Sequence, residues 1–288
     1  MIANTLPLIT WRWLKVNDSI IELPEVKDQV HNIVAEEGDN ISTLFDINEL
    51  SSENKARHTK INIEAKKGSN VDLYYVARCT DEEKALTDIV ADVAEDACVN
   101  FIQVEAGAHQ AITNYTANLN GKKSQTNVES VYFVNKDKKL DINYIINHIG
   151  EETNSNLLIN GALKDQARKA FRGTIDFKRG SKLSKGAEEE YATLLDEGVR
   201  NIAVPVLLCQ EDDVEGLHAA SAGKIDQDIL FYIMSRGLDI DSAKKMIVET
   251  KLAPTIHKLP NKELSESVWK HIEAVSYTHL TLPTILLV

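Results

Sequence analysis

The sequence predicts a mainly β fold: a parallel β-helix of stacked coils, followed by a small C-terminal α-helical subdomain. Three observations predict it. Short runs rich in β-branched and aromatic residues fill most of the chain, and several alternate polar with apolar residues, as strands with one buried face do. These runs recur with a common period of about 30 residues. Amphipathic helical spacing is confined to the region after Asp226.

In chain order, residues 10–17 (Thr-Trp-Arg-Trp-Leu-Lys-Val-Asn) already read as domain interior, close to the start. Strand-like runs follow at 71–76, 99–104, 128–134 and 140–146, then at 157–159, 171–177 and 204–208. Turn-forming stretches such as 120–123 and 178–182 punctuate them. Phe101, Val131 and Leu157 are 30 and 26 residues apart, and Ile112, Ile142 and Phe171 are 30 and 29 apart. Two interleaved series of this kind suggest coils that each supply strands to separate faces. A β-sandwich also has many short strands, but usually every 8–12 residues or so with hairpin turns. Here Asn120-Gly121 and Asn160-Gly161 are the candidate hairpins.

The helices come last. Asp226 is placed to cap a helix carrying Ile229, Leu230, Ile233 and Met234 that closes at Gly237. Asp239 or Asp241 opens a second, carrying Ala243, Met246 and Ile247 and finished before Pro254. Asn261 starts a third, with Leu264, Val268 and Ile272 at i, i+4 and i+8. Their stripes either pack together or form a docking surface. The expected division is a β-helix core over 1–225, a helical subdomain over 226–274, and a non-native or disordered tail over 275–288, where an uncharged, β-prone stretch replaces the helical pattern.

With 43% hydrophobic and 26% charged residues, the 288-residue chain builds a core without needing disulfides or structural metal. A net charge of −12 argues against nucleic acid or an anionic membrane as partner. Cys79, Cys98 and Cys209 are sparse, odd in number and form no CxxC pair, which suits a reducing compartment and writes no local cluster site. With neither a signal peptide nor an apolar run of spanning length in view, the expectation is a cytoplasmic protein. GxxxxGK[ST], GxGxxG, GxSxG and HExxH are all missing, so the usual nucleotide cradles and hydrolase motifs are excluded.

The stretch 214–226 carries the main candidate, His218, where strand-like sequence gives way to helix-like sequence. Small residues follow it and Asp212 and Asp213 precede it, so its imidazole is free to face a metal or a partner chain; a packed or solvated histidine is the competing reading. Cys209 ends an apolar run and reads as a buried small hydrophobe, with a thiolate ligand near His218 as the alternative. Glu211, Asp212, Asp213 and Glu215 read as a solvated acidic loop, and Asp196-Glu197-Gly198 as a turn. His148 reads as a residue at a strand edge and His109 as a turn residue.

From Asn147 to about Glu273 the sequence resembles the SufB/SufD family of iron–sulfur cluster assembly proteins. The resemblance rests on His148-Ile149-Gly150-Glu151-Glu152-Thr153-Asn154-Ser155-Asn156, Gly161-Ala162-Leu163-Lys164-Asp165 and Ala167-Arg168-Lys169-Ala170-Phe171-Arg172-Gly173. It continues through Pro205-Val206-Leu207-Leu208, Asp212-Asp213-Val214, residues 218–226 and Phe231-Tyr232-Ile233-Met234-Ser235-Arg236-Gly237, and residues 10–17 also look like the family's early strand region. Pro205 and His218 are 13 residues apart, without the longer, cysteine-containing insertion of SufB-like chains, so the SufD branch matches better. Ala219 departs from both branches, His-Glu-Ala and His-Gly-Ala, and adds a methyl where backbone freedom matters. Relative to the family, the chain is read as lacking an N-terminal helical region.

The resemblance implies a right-handed β-helix acting as a scaffold subunit rather than an enzyme. It implies pairing with a SufB-like subunit and docking of the SufC-like ATPase on the helical part, around Phe231, Tyr232, Ser235, Arg236 and Gly237. It implies a nascent iron–sulfur cluster or iron held transiently at the SufB interface by a partner cysteine and His218, with no nucleotide on this chain. Two other readings stay open. A β-helix carbohydrate-active enzyme needs carboxylates across one coil face and aromatic sugar platforms, whereas aromatics are 6% here. A purely structural heterodimer partner would leave His218 merely packing.

Overall fold

A computed structural model of the chain describes residues 1–7, 16–23, 28–48, 55–79 and 81–276. The motif residues 10–15 and the tail from Tyr277 onward lie outside the described residues. A short antiparallel ribbon, β1 (Ile2–Ala3) and β2 (Ser19–Ile20), precedes the coils. The coils begin with β3 (Gln29–Ala35), β4 (Asn40–Ile47), β5 (Ala56–Ala65), β6 (Asn70–Ala77), β7 (Lys84–Val93) and β8 (Cys98–Glu105). They continue with β9 (Gln110–Leu119), β10 (Gln125–Val134), β11 (Lys139–His148), β12 (Asn154–Leu163), β13 (Arg168–Phe177), β14 (Ser184–Leu194), β15 (Arg200–Cys209) and β16 (Val214–Lys224). Odd strands β3–β15 form one seven-stranded sheet and even strands β4–β16 a second, each in coil order with parallel pairing. The fold is therefore a parallel β-solenoid, as the sequence predicts.

Alternation along each strand sends every second side chain into the lumen. The inner row is largely apolar and aromatic through the middle coils, with buried polar side chains such as Gln103, Thr113 and Ser130 among them. Phe101 and Tyr115 stack with ring centroids 4.9 Å apart, Tyr115 meets Tyr144 at 6.1 Å, and Tyr144 meets Phe171 at 5.8 Å. Such pairs add stabilisation beyond the area they bury. On the outer face, Asn100 donates to Asn70 (3.2 Å), Asn127 to Asn100 (2.9 Å) and Asn156 to Asn127 (3.4 Å), a ladder that locks neighbouring coils in register.

The expected period holds, but its phase differs. Phe101 lies opposite Val128, which lies opposite Leu157, whereas Val131 pairs with Val104 and Asn160. Ile142 pairs with Thr113 and Phe171, and Ile112 pairs with Asp141. The displacement has one physical cause: parts of the outer surface are apolar too. Ile112 faces outward into a cluster with Ile21 and Leu86 next to the N-terminal ribbon. Val131 and Phe133 face outward and are buried under the C-terminal helices. Neither hairpin candidate forms a hairpin; Gly161 lies inside β12 and Asn120-Gly121 at a coil corner.

Helix α1 (Gln227–Ser235) is capped by Asp226, whose carboxylate accepts from the backbone N–H groups of Asp228 and Ile229. It closes at Gly237, whose φ of 99° favours glycine. Helix α2 (Ile240–Ile256) is capped by Asp239 and continues through Pro254 instead of stopping before it. Proline so near the end removes one N–H without interrupting the body of the helix. Asn261 accepts from the Leu264 N–H to start α3 (Lys262–Ser276). Stripes on α2 and α3 (Val248, Leu252, Leu264, Val268, Ile272) are spent against the second sheet's outer face at Val76, Ile102, Val104, Val131 and Phe133. Among the described residues no helix is long and apolar enough to cross a membrane.

Candidate functional site

The solenoid ends without a cap among the described residues. β16 pairs with β14 on one side, β15 pairs with β13, and no described strand stacks beyond either. Through most of β14 buried residues alternate with exposed or half-exposed ones, while every residue of β16 is exposed or half-exposed. His218 lies in the middle of this last strand, opposite Glu188, which is 1% exposed inside the lumen. Parallel register gives the two residues the same facing, so the His218 imidazole sits at the mouth of the lumen. The expected strand–helix junction at His218 is displaced: the strand runs on to Lys224 and the helix starts after Asp226. The run Ala219-Ala220-Ser221-Ala222-Gly223 has weak strand preference by itself, and its pairing with β14 decides its state. Ala219 is not among the residues with positive φ, so its methyl costs no backbone strain.

Cys209 ends β15 opposite Phe177 and shares its inward facing, but it is exposed rather than buried. No described coil lies above it to cover it. His218 and Cys209 thus lie on the same terminal coil, mid-strand in β16 and at the end of β15. Among the described residues no three His, Cys, Asp or Glu side chains are grouped so as to hold a metal ion.

Beneath the mouth the lumen changes character. Lys169 and Glu190 form an ion pair with both side chains fully buried. Tyr132 donates to Glu190 at 3.0 Å, and Lys169 also donates to the Asn201 side chain at 3.0 Å and lies over the Tyr132 and Phe171 rings. Burial pushes the Glu188 carboxyl up to about 8, with Glu190 adding to the rise and Lys169 opposing it. Burial also pulls the Lys169 ammonium down, against the pull of Glu190. Sequence reasoning missed this cluster. Its signal was there: Glu188 and Glu190 occupy inward positions in register with apolar Leu157 and Ile159, but only the coil phase reveals it.

The other histidine of the family-like segment is closed off. His148 is fully buried, with Nδ1 2.7 Å from the Thr153 hydroxyl and Nε2 2.9 Å from that of Ser155. It is interior rather than at an edge, and burial holds its imidazole down at about 4. Glu211 accepts from the Gly180 N–H at 2.9 Å and ties the exposed acidic loop to the preceding coil's turn. On α1, Phe231 and Tyr232 are 74% and 59% exposed. Arg236 lies over the Tyr232 ring and donates to its hydroxyl at 3.2 Å, and Ser235 donates to the Tyr232 carbonyl at 2.7 Å. With Gly237 closing the helix, the five predicted docking residues occupy one exposed helix end.

The SufBD core domain of the SUF system for iron–sulfur cluster assembly matches residues 25–251. The iron–sulfur cluster assembly protein SufD of Bacillus subtilis is 30% identical over 162 residues, covering 56% of this chain and 37% of that protein. A SufBD family protein of Mycobacterium tuberculosis is 30% identical over 142 residues, covering 49% of this chain and 17% of that protein. A SufBD family protein of Mycobacterium leprae is 24% identical over 207 residues, covering 69% of this chain and 53% of that protein. The chain thus spans about half or less of the length of these relatives. With the family's core matched across almost the whole solenoid, α1 and most of α2 included, the chain belongs to the SufBD family of iron–sulfur cluster assembly proteins.

Proposed function

We infer that this chain is a SufD-like scaffold subunit that pairs with a SufB-like subunit through the open end of its solenoid and lends His218 to a nascent cluster. The observation that carries this reading is the position of His218: mid-strand on the uncapped last coil, exposed, and facing the mouth of the lumen. The cluster or iron is cargo, held transiently, and Cys209 is the weaker second donor on this side. Neutral imidazole is a competent iron ligand, and a site shared between two chains exists only once they assemble. A SufC-like ATPase docks on α1 around Phe231, Tyr232, Ser235, Arg236 and Gly237; the exposed aromatics there support this role, since such side chains anchor interfaces. ATP hydrolysis belongs to that partner, this chain holds no nucleotide for hydrolysis, and the complex works in the cytoplasm. In this reading residues 1–225 are the assembly core and 226–274 the docking subdomain. The carbohydrate-active alternative finds less support, because Glu188 and Glu190 are enclosed in the lumen rather than displayed in a cleft.

The test is co-expression with SufB-like and SufC-like partners, with cluster formation followed by visible absorption and circular dichroism. His218→Ala is expected to leave the purified complex intact and to cut cluster formation by about tenfold or more, the scale of losses at metal sites. Undiminished cluster formation by an intact variant complex sinks the ligand role. Failure of the wild-type chain to co-purify with a SufB-like subunit sinks the pairing itself.

A further inference from the structure

The register that stacks the coils also stacks cations. At the starts of successive strands in the first sheet, Lys84, Gln110, Lys139, Arg168 and Arg200 are paired in one row. Strands in a sheet lie about 4.8 Å apart, so Lys139, Arg168 and Arg200 fall within about 10 Å along the coil axis. Like charges directly opposite each other on neighbouring strands are destabilising. Elsewhere this acidic chain answers its cations from the adjoining coil, as in Lys66–Glu36, Lys67–Glu95 and Lys122–Glu152. Here it does not: among the described residues none of these three side chains makes a hydrogen bond or an ion pair.

All three are exposed and line one groove of about 320 Å³. In the next outward row, Ala170 is small enough to leave a dip, with Ile202 on one side of it and Asp141 on the other. Arg172 forms the back; it is paired with Asp141 and donates to the carbonyl oxygens of Val16 (2.7 Å) and Asp18 (3.0 Å). Asp18 and Ser19 supply the wall, so among the described residues Asp18 is the one lining carboxylate besides the neutralised Asp141.

The geometry points to a binding site for a ligand that carries two linked phosphate groups. A single phosphate reaches two neighbouring cations in the row; a second is required to engage the third. Arg168, at the centre, offers the planar fork that matches phosphate oxygens bidentately. Ala170 and Ile202 give an organic ester an apolar surface beside the charges. Recognition here comes from side chains on rigid strands and owes nothing to a glycine-rich loop.

The test is calorimetric titration of the intact chain at low ionic strength, where such contacts are least screened. The probes are inorganic pyrophosphate, ADP, orthophosphate and an oligoglutamate peptide. Pyrophosphate or ADP is expected to bind saturably, about tenfold or more tighter than orthophosphate, and Arg168→Glu to weaken that binding by about tenfold or more. Lys270→Glu, on α3 over the other sheet, is expected to leave it unchanged. Arg168→Gln supplies a second readout: relieving the stacked charge raises the melting temperature of the free protein, while the further rise given by pyrophosphate disappears. ADP binding more tightly than pyrophosphate identifies a diphosphate ester as the ligand, and equal binding an inorganic one. No saturable binding at millimolar concentrations, equal weakening by Lys270→Glu, or equally tight binding of orthophosphate or oligoglutamate overturns the proposal.

Discussion

A single buried imidazole sets part of this protein's response to acid. His148 has both nitrogens engaged by hydroxyls and its ring against Phe177 at 4.6 Å. Its folded pKa, lowered by burial to about 4, lies below the unfolded value near 6.5. The unfolded chain therefore binds the proton first, and the contribution of His148 is fully present above pH 6.5 and lost as pH falls through 4. The size of that loss is roughly 3 kcal/mol. Glu188 and Glu105 carry the opposite sign: both hold their proton up to about 8, so their contribution is present below 4.5 and lost as pH rises through 8. Urea midpoints at pH 7 and pH 4 separate the two. His148→Gln is expected to lose about 3 kcal/mol less than wild type between those pH values. An unchanged loss would assign the acid sensitivity elsewhere. The sequence made His148 visible as part of a motif, but not as interior; its facing depends on the coil phase.

At the scale of single elements, Gly161 shows what parallel register demands. It lies inside β12, and a Cβ there would collide with the ring of Tyr132, the neighbour it pairs with on β10. Tyr132 cannot retreat, because it is fully buried and donates to Glu190. Gly161→Ala is therefore expected to lower stability by about 1–3 kcal/mol, the usual range for overpacking, read as a shift in urea midpoint with unchanged slope. Read as sequence, Asn160-Gly161 looks like a hairpin turn; the same two residues serve a strand whose partners lie a whole coil away. Helix caps, by contrast, were legible, because Asp226, Asp239 and Asn261 act within three residues of themselves. The phase of the strands was not, because outward positions such as Ile112 and Val131 are as apolar as inward ones wherever the ribbon or the helices cover them.

Across the whole molecule the solenoid is a one-dimensional stack in which each coil leans on its neighbours. The period near 30 made this architecture legible from sequence. The open mouth was not legible, since it depends on which coil is last and what stacks on it. Amide exchange is expected to follow the stack: slowest in β9 and β11, around the Tyr115–Tyr144 contact, and fastest in β15 and β16. Uniform protection along the coils would contradict that gradient.

The Lys169–Glu190 pair beneath the mouth extends this beyond chemistry. Enclosing two charges costs solvation that their attraction repays incompletely. The terminal coils therefore contribute less cohesion than the aromatic centre, and the isolated chain is expected to fray first from that end. A second chain stacked on β15 and β16 would supply the missing coil and withdraw the fraying end from proteases. The same open end that exposes His218 would then act as a lifetime control, clearing copies on which no second chain is stacked.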